Sequence, residues 1–262
     1  MTDDMGNNLG NLGNPWLKTP NIDKLSEESV LLTNFHQDLL CTPSRASLMT
    51  GKYSLRTGAW RTSIGRSNMR SEEITVAEVF QKNGYRTGSF GKWHLGDVWP
   101  FRSIDQGFEE AVNLNCGGIG QISDYWGNDY FDDVYCHNGQ RKRFEGYCTE
   151  TFFGKAMNWM ETCIRNEESF FACLPTNAPH YPLYVPAPDR QAIEAIFKEK
   201  ADLLPDEKHV PQLIRFLAMI CNLDRQIGLL RDFLDKQGVA EDTILIFMTD
   251  NGSTFGSCYY NA

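Results

Sequence analysis

The sequence predicts an α/β fold, with a mixed and mostly parallel sheet that carries helices on both faces. Amphipathic helical segments alternate with short apolar runs along the 262 residues, a pattern typical of this class. Residues 169–174 and 243–248 form nearly continuous apolar runs, as expected of parallel strands that are buried on both faces. Residues 210–237 carry one apolar stripe at helical spacing and precede Gly238, which favours a helix end.

In the first part of the chain, two predicted helices each precede a predicted strand. Thr19 is a suitable N-cap and Pro20 a suitable first residue for a short helix, and residues 30–35 then form a strand. Residues 74–83 show a helical apolar pattern, and residues 85–90 form the second strand. Each of these strands leads towards a segment with chemically active side chains.

Irregular structure is predicted for residues 97–140, which are rich in glycine, aspartate and aromatic residues. Because no strand is predicted ahead of the glycines at 117–120, we do not interpret them as a dinucleotide-binding loop. Asn138 and Gly139 predict the tight turn of a β-hairpin. The remaining predicted helices occupy residues 150–165, 189–200 and 210–237.

The composition excludes several functional classes. A formal net charge of −9 argues against general binding to nucleic acids, which requires a basic surface. No run reaches the roughly 20 apolar residues of a membrane span, and the acidic, polar N-terminus does not resemble a secretory signal. The eight cysteines include no Cys-x-x-Cys pair, so no structural zinc site is predicted. Cys136 and Cys148 flank the predicted hairpin, and the sequence leaves open whether they pair.

Cys41 begins the segment Cys-Thr-Pro-Ser-Arg, which is an uncommon combination of residues. Pro43 suits the first turn of a helix, and Arg45 would then lie about one turn after the cysteine. A helix N-terminus and a guanidinium group make the surroundings electropositive, which favours a reactive thiol. The alternative is a buried, inert cysteine ahead of an ordinary helix.

Two acidic segments stand where a strand would open onto a site. Asp3 and Asp4 precede a polar loop rich in asparagine and glycine, although a solvated acidic N-terminus would have the same pattern. Asp250 and Asn251 follow the predicted strand 243–248, and open α/β sheets bind ligands at the carboxyl ends of their strands. As an isolated tripeptide, Asp-Asn-Gly would indicate only a turn.

Three further side chains suit the binding of an anion. If the chain stays extended beyond the predicted strand 85–90, Lys92 and His94 point to the same side and place a cation beside an imidazole. Such a pair can bind an anion and transfer a proton. His180 lies between two prolines just beyond the predicted strand 169–174. Isolated surface residues are the alternative interpretation in both cases.

Together, these segments resemble the signatures of sulfatases. Cys-x-Pro-Ser-Arg with the following Thr-Gly resembles the segment in which sulfatases convert the cysteine to formylglycine, and Gly-Lys-Trp-His-Leu-Gly resembles a second signature. The segments Asp-Asp-x-Gly, Pro-His-x-Pro and Asp-Asn-Gly also match the family, and they occur in its order. The resemblance implies an alkaline phosphatase-like fold. It also implies that residues 1–262 form a sulfatase catalytic domain that lacks the first strand and the C-terminal part.

The resemblance implies hydrolysis of sulfate esters to an alcohol and inorganic sulfate. A separate maturation enzyme would make the formylglycine, and the substrate would be a sulfated small molecule or glycan. One calcium ion would be expected, and so would a periplasmic, secreted or lysosomal location. The implied calcium ligands are Asp3, Asp4, the modified Cys41, Asp250 and Asn251. The implied catalytic residues are Cys41, Arg45, Lys92, His94 and His180.

Two other functions remain open on the sequence. A phosphate or phosphonate monoester hydrolase of the same superfamily would keep the metal site, and a degenerate fragment would have no catalytic activity. Sulfatases also carry a further catalytic lysine after Asp-Asn-Gly, which is expected beyond residue 262. We therefore expect residues 1–262 alone to be weakly active or inactive.

Overall fold

A five-stranded sheet lies at the centre of the computed structural model, which describes residues 1–63, 67–200 and 209–253. Its strands are β1 (Arg86–Lys92), β2 (Glu110–Leu114), β3 (Val134–His137), β4 (Gln140–Arg143) and β5 (Phe170–Cys173). They lie in the order β4-β3-β2-β1-β5 across the sheet. Strand β1 pairs in parallel with β2 and with β5, whereas β3 is antiparallel to both β2 and β4. Four of these five strands run in one direction, which confirms the predicted mixed and mostly parallel sheet.

Helices cover both faces of this sheet, as predicted. The α-helices of the described residues are α1 (Pro20–Glu27), α2 (Cys41–Thr50), α3 (Ser54–Thr57), α4 (Val76–Lys82), α5 (Cys148–Arg165), α6 (Ala187–Glu199) and α7 (Val210–Gln237). On one face, Phe90 of β1 belongs to the larger apolar core, in which α5 packs on β1 and α7 packs on α5. On the other face, Phe171 of β5 packs against a second core that includes Ala77 of α4.

Helix α7 carries the longest apolar stripe that the sequence predicts. The helix ends at Gly238, which has a φ of 70°, the left-handed conformation that glycine adopts without strain. No helix in the described ranges is both long and apolar enough to cross a membrane. The predicted stripe is buried throughout, at Leu213, Phe216, Leu217, Ile220, Leu223, Ile227 and Leu230.

The predicted hairpin forms between β3 and β4. Asn138 and Gly139 connect the two strands and have φ values of 50° and 80°, as a two-residue turn of the type I′ class requires. Cys136 lies on β3 and Cys148 begins α5, but both are free thiols and no disulfide joins them. The question that the sequence left open is thus answered for these two residues.

The predicted strand at residues 30–35 is wrong. This segment belongs to no strand, and Val30, Leu31 and Leu32 are each more than half exposed. A strand is stable only where a neighbouring strand satisfies its backbone groups, and within the described residues this segment has no such neighbour.

The predicted strand at residues 243–248 is also not formed as a sheet strand. Among the residues that the structure describes, pairing at this edge is limited to a parallel bridge between Thr2 and Thr249. In this bridge the Thr2 N–H donates to the Met248 carbonyl and the Asp250 N–H donates to the Thr2 carbonyl. Ile244 is 89% exposed, so the apolar run is not buried on both faces. The short contact with Thr2 nevertheless fixes the position of Asp250.

Residues 97–140, predicted to be irregular, contain strand β2. This strand holds only five residues, and Glu110 and Asn113 interrupt its apolar character, so its sequence gives a weak strand signal. The glycines at 117–120 do follow a strand, contrary to the prediction. They lead into turns rather than a helix, so they still do not form a dinucleotide-binding loop.

Candidate active site

Cys41 is the first residue of α2 and lies buried beneath the loops that follow β1 and β5. Its Sγ lies 3.7 Å from Asp4 Oδ1, to which the thiol donates. The Thr42 hydroxyl donates to the His94 carbonyl at 3.1 Å, which links the start of α2 to the loop after β1. Asp38 anchors α2 and connects it to α3, because its carboxylate accepts hydrogen bonds from Ser47 Oγ of α2 at 2.8 Å and from Ser54 Oγ of α3 at 3.1 Å.

The thiol of Cys41 is not electropositively activated. Burial, together with the negative charge of Asp3, raises its pKa far above the ordinary value. Arg45 lies on the same helix, as the sequence predicts, but its guanidinium points at Asp250. The expectation of a reactive thiol based on local sequence is therefore wrong, and Cys41 remains a protonated thiol at neutral pH.

Three carboxylates from the two ends of the described chain meet at Cys41. The Asp3 N–H donates to the Ala178 carbonyl at 3.0 Å, and the Asp4 N–H donates to Asp250 Oδ1 at 3.1 Å. Side-chain ligand atoms of Asp3, Asp4, Cys41 and Asp250 all lie within 4.8 Å of one another. The contact between the segments around Thr2 and Thr249 therefore brings together acidic residues far apart in sequence.

Two buried cations partly neutralise these carboxylates. Arg45 Nε and Nη2 donate to Asp250 Oδ2 at 3.0 and 2.9 Å, and Lys92 Nζ donates to Asp3 Oδ2 at 2.6 Å. Although burial opposes the charged form, Arg45 and Lys92 bring the pKa of Asp250 to about 2. Burial opposes the charged form of Lys92 as well, yet Asp3 raises the pKa of this lysine above its ordinary value. With Asp4 included, three carboxylates and two cations leave a formal charge of −1.

The remaining oxygen atoms fit a hard metal cation. Asp3 Oδ1 and Asn251 Oδ1 are buried and have no hydrogen-bond partner among the residues of the described ranges. Asn251 Nδ2 donates to Asp4 Oδ1 and to the Gly252 carbonyl, so the amide oxygen is turned away from these two acceptors. Carboxylate and amide oxygens are the ligands that calcium prefers. The predicted residues Asp3, Asp4, Asp250 and Asn251 thus form a candidate metal centre next to Cys41.

Two histidines complete the candidate site. His180 Nε2 lies 3.6 Å from Asp4 Oδ2, and its Nδ1 donates to the Tyr181 carbonyl. His94 has a φ of 58°, so the chain turns after β1 and the predicted straight extension through His94 is wrong. Burial lowers the pKa of both imidazoles, and Lys92 lowers each pKa further. Both histidines are therefore neutral at neutral pH and can accept a proton.

Sequence reasoning missed the residues that support this constellation. Asp38 and Thr42 carry no motif of their own, and only the structure places them beside the helix of Cys41. The glycine pair Gly117 and Gly118 approaches His94 and His180, respectively. Two adjacent glycines were a visible signal of close backbone approach, but the sequence did not indicate what they approach.

Comparisons with known proteins identify relatives of the chain. The sequence matches the family model described as Sulfatase over residues 1–261. It is 31% identical over 260 residues to the ulvan-active sulfatase of Formosa agariphila, an alignment that covers 95% of this chain and 48% of the relative. It is 30% identical over 275 residues to arylsulfatase A of Homo sapiens, with 95% of this chain and 50% of the relative covered. The chain thus spans about half the length of these curated relatives.

Solved structures share the fold. Ps i-CgsB in complex with k-i-k-neocarrahexaose superimposes with a TM-score of 0.80 at 24% identity, over 100% of this chain and 59% of that chain. The phosphonate monoester hydrolase of Agrobacterium radiobacter superimposes with a TM-score of 0.66 at 18% identity, over 97% of this chain and 62% of that chain. These likenesses confirm the alkaline phosphatase-like fold. With a family match along nearly its whole length, the chain belongs to the Sulfatase family.

Proposed function

We propose that this chain supplies the catalytic centre for hydrolysis of sulfate esters to an alcohol and inorganic sulfate. The observation that carries the proposal is the meeting of Cys41 with three carboxylates within 4.8 Å, beside two buried cations. This arrangement suits an anionic ester whose charge is shared between a metal ion and fixed cations. The sulfatase names of the relatives support the same reaction.

Cys41 is proposed as a precursor rather than as the nucleophile itself. A buried thiol whose pKa is raised reacts poorly, because the thiolate is the reactive form. Oxidation of Cys41 to formylglycine by a maturation enzyme would instead provide an aldehyde, whose hydrate carries two hydroxyls on one carbon. One hydroxyl would attack sulfur and displace the alcohol of the ester. Loss of the proton from the other hydroxyl would then break the C–O bond, release sulfate and restore the aldehyde.

Asp3, Asp4, Asp250 and Asn251 are proposed to hold one calcium ion together with the modified Cys41. The cluster of three carboxylates and the two buried oxygens that make no hydrogen bond within the described residues support a cation at this place. When bound, the ion would supply positive charge next to a sulfate oxygen. Asp3 Oδ1 makes no hydrogen bond within the described residues, and it lies 3.5 Å from Arg45 Nη2, so a bound cation would share this oxygen with the guanidinium.

The remaining residues are proposed either to stabilise negative charge or to take part in proton transfer. Lys92 and Arg45, both fully buried, would offset the negative charge that develops on the sulfate. His94 is neutral and would accept the proton whose loss releases the sulfate. His180 would contact the leaving oxygen. It is neutral in the free protein because burial and Lys92 lower its pKa, and a bound anion would raise that pKa towards the protonated form.

A peptide mass spectrum across Cys41 tests the proposal most directly. After coexpression with a formylglycine-generating enzyme, we expect the mass loss of a thiol-to-aldehyde conversion, and Cys41→Ala provides the unmodifiable control. The matured protein, at full length, should then hydrolyse 4-nitrophenyl sulfate with a calcium requirement. A thiol that stays unmodified, or modified protein without turnover, would contradict the proposal and favour a non-catalytic chain.

A phosphate or phosphonate monoester hydrolase is the second candidate. The shared fold with the phosphonate monoester hydrolase is the observation that favours it, although that likeness shows the fold alone. Sulfate and phosphonate monoesters are both tetrahedral anions, so the same cations and metal site would bind either of them. Turnover of 4-nitrophenyl sulfate compared with 4-nitrophenyl phenylphosphonate, a monoester with the same leaving group, distinguishes the two. A higher kcat/KM for the phosphonate would replace the sulfatase proposal.

A further inference from the structure

Residues 115–124, called here the wall loop, lie between β2 and the hairpin and approach both site histidines. We propose that the wall loop forms one side of the substrate site and that Gln121 binds hydroxyl groups of the alcohol portion of a sulfated sugar. The inference rests on the proposed function, since it concerns the group that carries the sulfate. It assigns to Gln121 a role in specificity rather than in bond cleavage.

Gly117 places the backbone of the wall loop against His94. A Cβ atom at this position would lie 2.6 Å from His94 Cε1 and 2.8 Å from His94 Nε2, closer than real Cβ contacts. Gly117 does not have a positive φ, so the need for glycine is one of space rather than conformation. The same Cβ would lie 3.1 Å from Gln121 Oε1, so the Gln121 amide and the His94 imidazole border the same small space at this glycine.

Gly118 brings the backbone of the wall loop close to His180 as well. A Cβ atom there would lie 2.9 Å from Gln121 Nε2 and 3.5 Å from His180 Nδ1. Gln121 itself is exposed, whereas Gly117 and Gly118 beneath it are buried. Its side-chain amide makes no hydrogen bond to any residue in the described ranges. A free amide, carrying donors and an acceptor, therefore stands in solvent beside both histidines.

The wall loop is fixed to the segment that carries His94. Asp97 accepts a hydrogen bond from the Cys116 N–H at 2.9 Å and another from Ser123 Oγ at 3.3 Å. Within the loop, Asp124 accepts from the Gly120 N–H at 2.9 Å. Because both ends are tied to Asp97, the position of Gln121 relative to His94 is set before a ligand arrives, which limits the entropy lost on binding.

The chemistry of the amide indicates the ligand class. A sugar presents several hydroxyls around the carbon that bears the sulfate, and each hydroxyl can donate to Oε1 or accept from Nε2. An aryl sulfate offers no such groups. Loss of the single Gln121 hydrogen bond should therefore weaken sugar binding about 3- to 10-fold.

The test compares Gln121→Leu with wild-type Gln121 in the full-length protein. For calorimetry both carry Cys41→Ala, so that bound sugar sulfates are not hydrolysed, and for kinetics both are the matured protein with Cys41 intact. Calorimetric affinities are measured for a panel of galactose and glucosamine sulfates and for inorganic sulfate. We expect Gln121→Leu to weaken binding of at least one sugar sulfate about 3- to 10-fold and to leave the affinity for inorganic sulfate unchanged. Gln81→Leu, the same substitution at an exposed position of α4, is the control and should change neither affinity.

Kinetics separate this inference from the proposed function. Gln121→Leu should raise KM for the sugar sulfate and leave kcat/KM for 4-nitrophenyl sulfate within about 2-fold of wild type. Equal losses on both substrates, an unchanged sugar affinity, or no sugar-sulfate binding by wild type would overturn the role of Gln121. Sugar-sulfate binding that depends on Gln121 without any turnover would instead retain the specificity role and overturn the hydrolase proposal.

Discussion

Replacement of Arg45 by methionine should be among the most destabilising single changes in this site. Met keeps most of the buried volume, but it removes the donors to Asp250 Oδ2 and to the Lys92 carbonyl. Removing one partner of a buried ion pair costs about 3–5 kcal/mol, because the other charge stays buried. Lys92 is committed to Asp3, so it replaces Arg45 only in part. We expect a loss of about 3–4 kcal/mol in the free energy of unfolding.

Urea denaturation in the presence of a chelator measures this loss without any contribution from metal binding. The double variant Arg45→Met with Asp250→Asn removes the unpaired negative charge of Asp250 and keeps its Oδ1 as an acceptor. It should therefore recover about half of the lost free energy of unfolding. Arg215→Met, at an exposed position of α7, is the matched control and should stay within about 0.5 kcal/mol of wild type. A cost below about 1 kcal/mol for Arg45→Met, or no recovery in the double variant, would refute the reasoning.

Three further predictions concern the metal, the anchor of α2 and pH. Calcium at 100 times its Kd should stabilise the wild type by about 2.7 kcal/mol in thermal melts. Asp4→Asn should reduce this calcium-dependent stabilisation, whereas Asp232→Asn, at an exposed position, should not. Asp38→Ala should cost about 1–3 kcal/mol in urea denaturation, because two serine hydroxyls lose their acceptor; full stability would contradict its anchoring role. Burial lowers the pKa of His94 well below 6.5, so the unfolded chain binds its proton first as pH falls. Unfolding free energy should therefore decrease below about pH 6.5, by at most about 1.4 kcal/mol per pH unit from this group. His94→Gln should flatten that slope, and an unchanged slope would argue against a neutral buried His94.

The helices and the chemical residues of the site were predictable because their signals are local. The stripe of α7 repeats over many turns, and a helix satisfies its own backbone groups, so the pattern is sufficient to predict it. The turn at Asn138 and Gly139 is likewise set by the conformations that these two residues tolerate. Motif order indicated that Asp3 and Asp250 belong to one site, and the structure brings both next to Cys41, although the strand predicted before Asp250 does not form.

The strands were harder, because a strand depends on residues far away in sequence. The apolar run 243–248 reads as a buried strand, yet only Thr249 finds a partner among the described residues. Strand β2, with two polar residues in five, is a strand because it lies between β1 and β3. Neither outcome is encoded in the segment itself.

The electrostatics of the site were the hardest property to predict from the sequence. A helix N-terminus and Arg45 suggested an activated thiol, but the effect of burial on Cys41 and the proximity of Asp3 outweigh both. The direction in which a guanidinium points decides which group it stabilises, and this direction is set by Asp250 at the other end of the described chain. The approach of Gly117 to His94 is equally a product of tertiary packing.

The pairing of Arg45 with Asp250 also sets an order of events during synthesis. The two residues are separated by 205 positions, so Asp250 emerges long after the helix that carries Cys41. At a translation rate of roughly 5–20 residues per second, about 10–40 seconds pass between them. During that interval the carboxylates of Asp3 and Asp4 lack their distant partner, and the thiol is not yet enclosed. If Cys41 is modified as proposed, the nascent chain offers the more accessible thiol, before Asp250 arrives and encloses it.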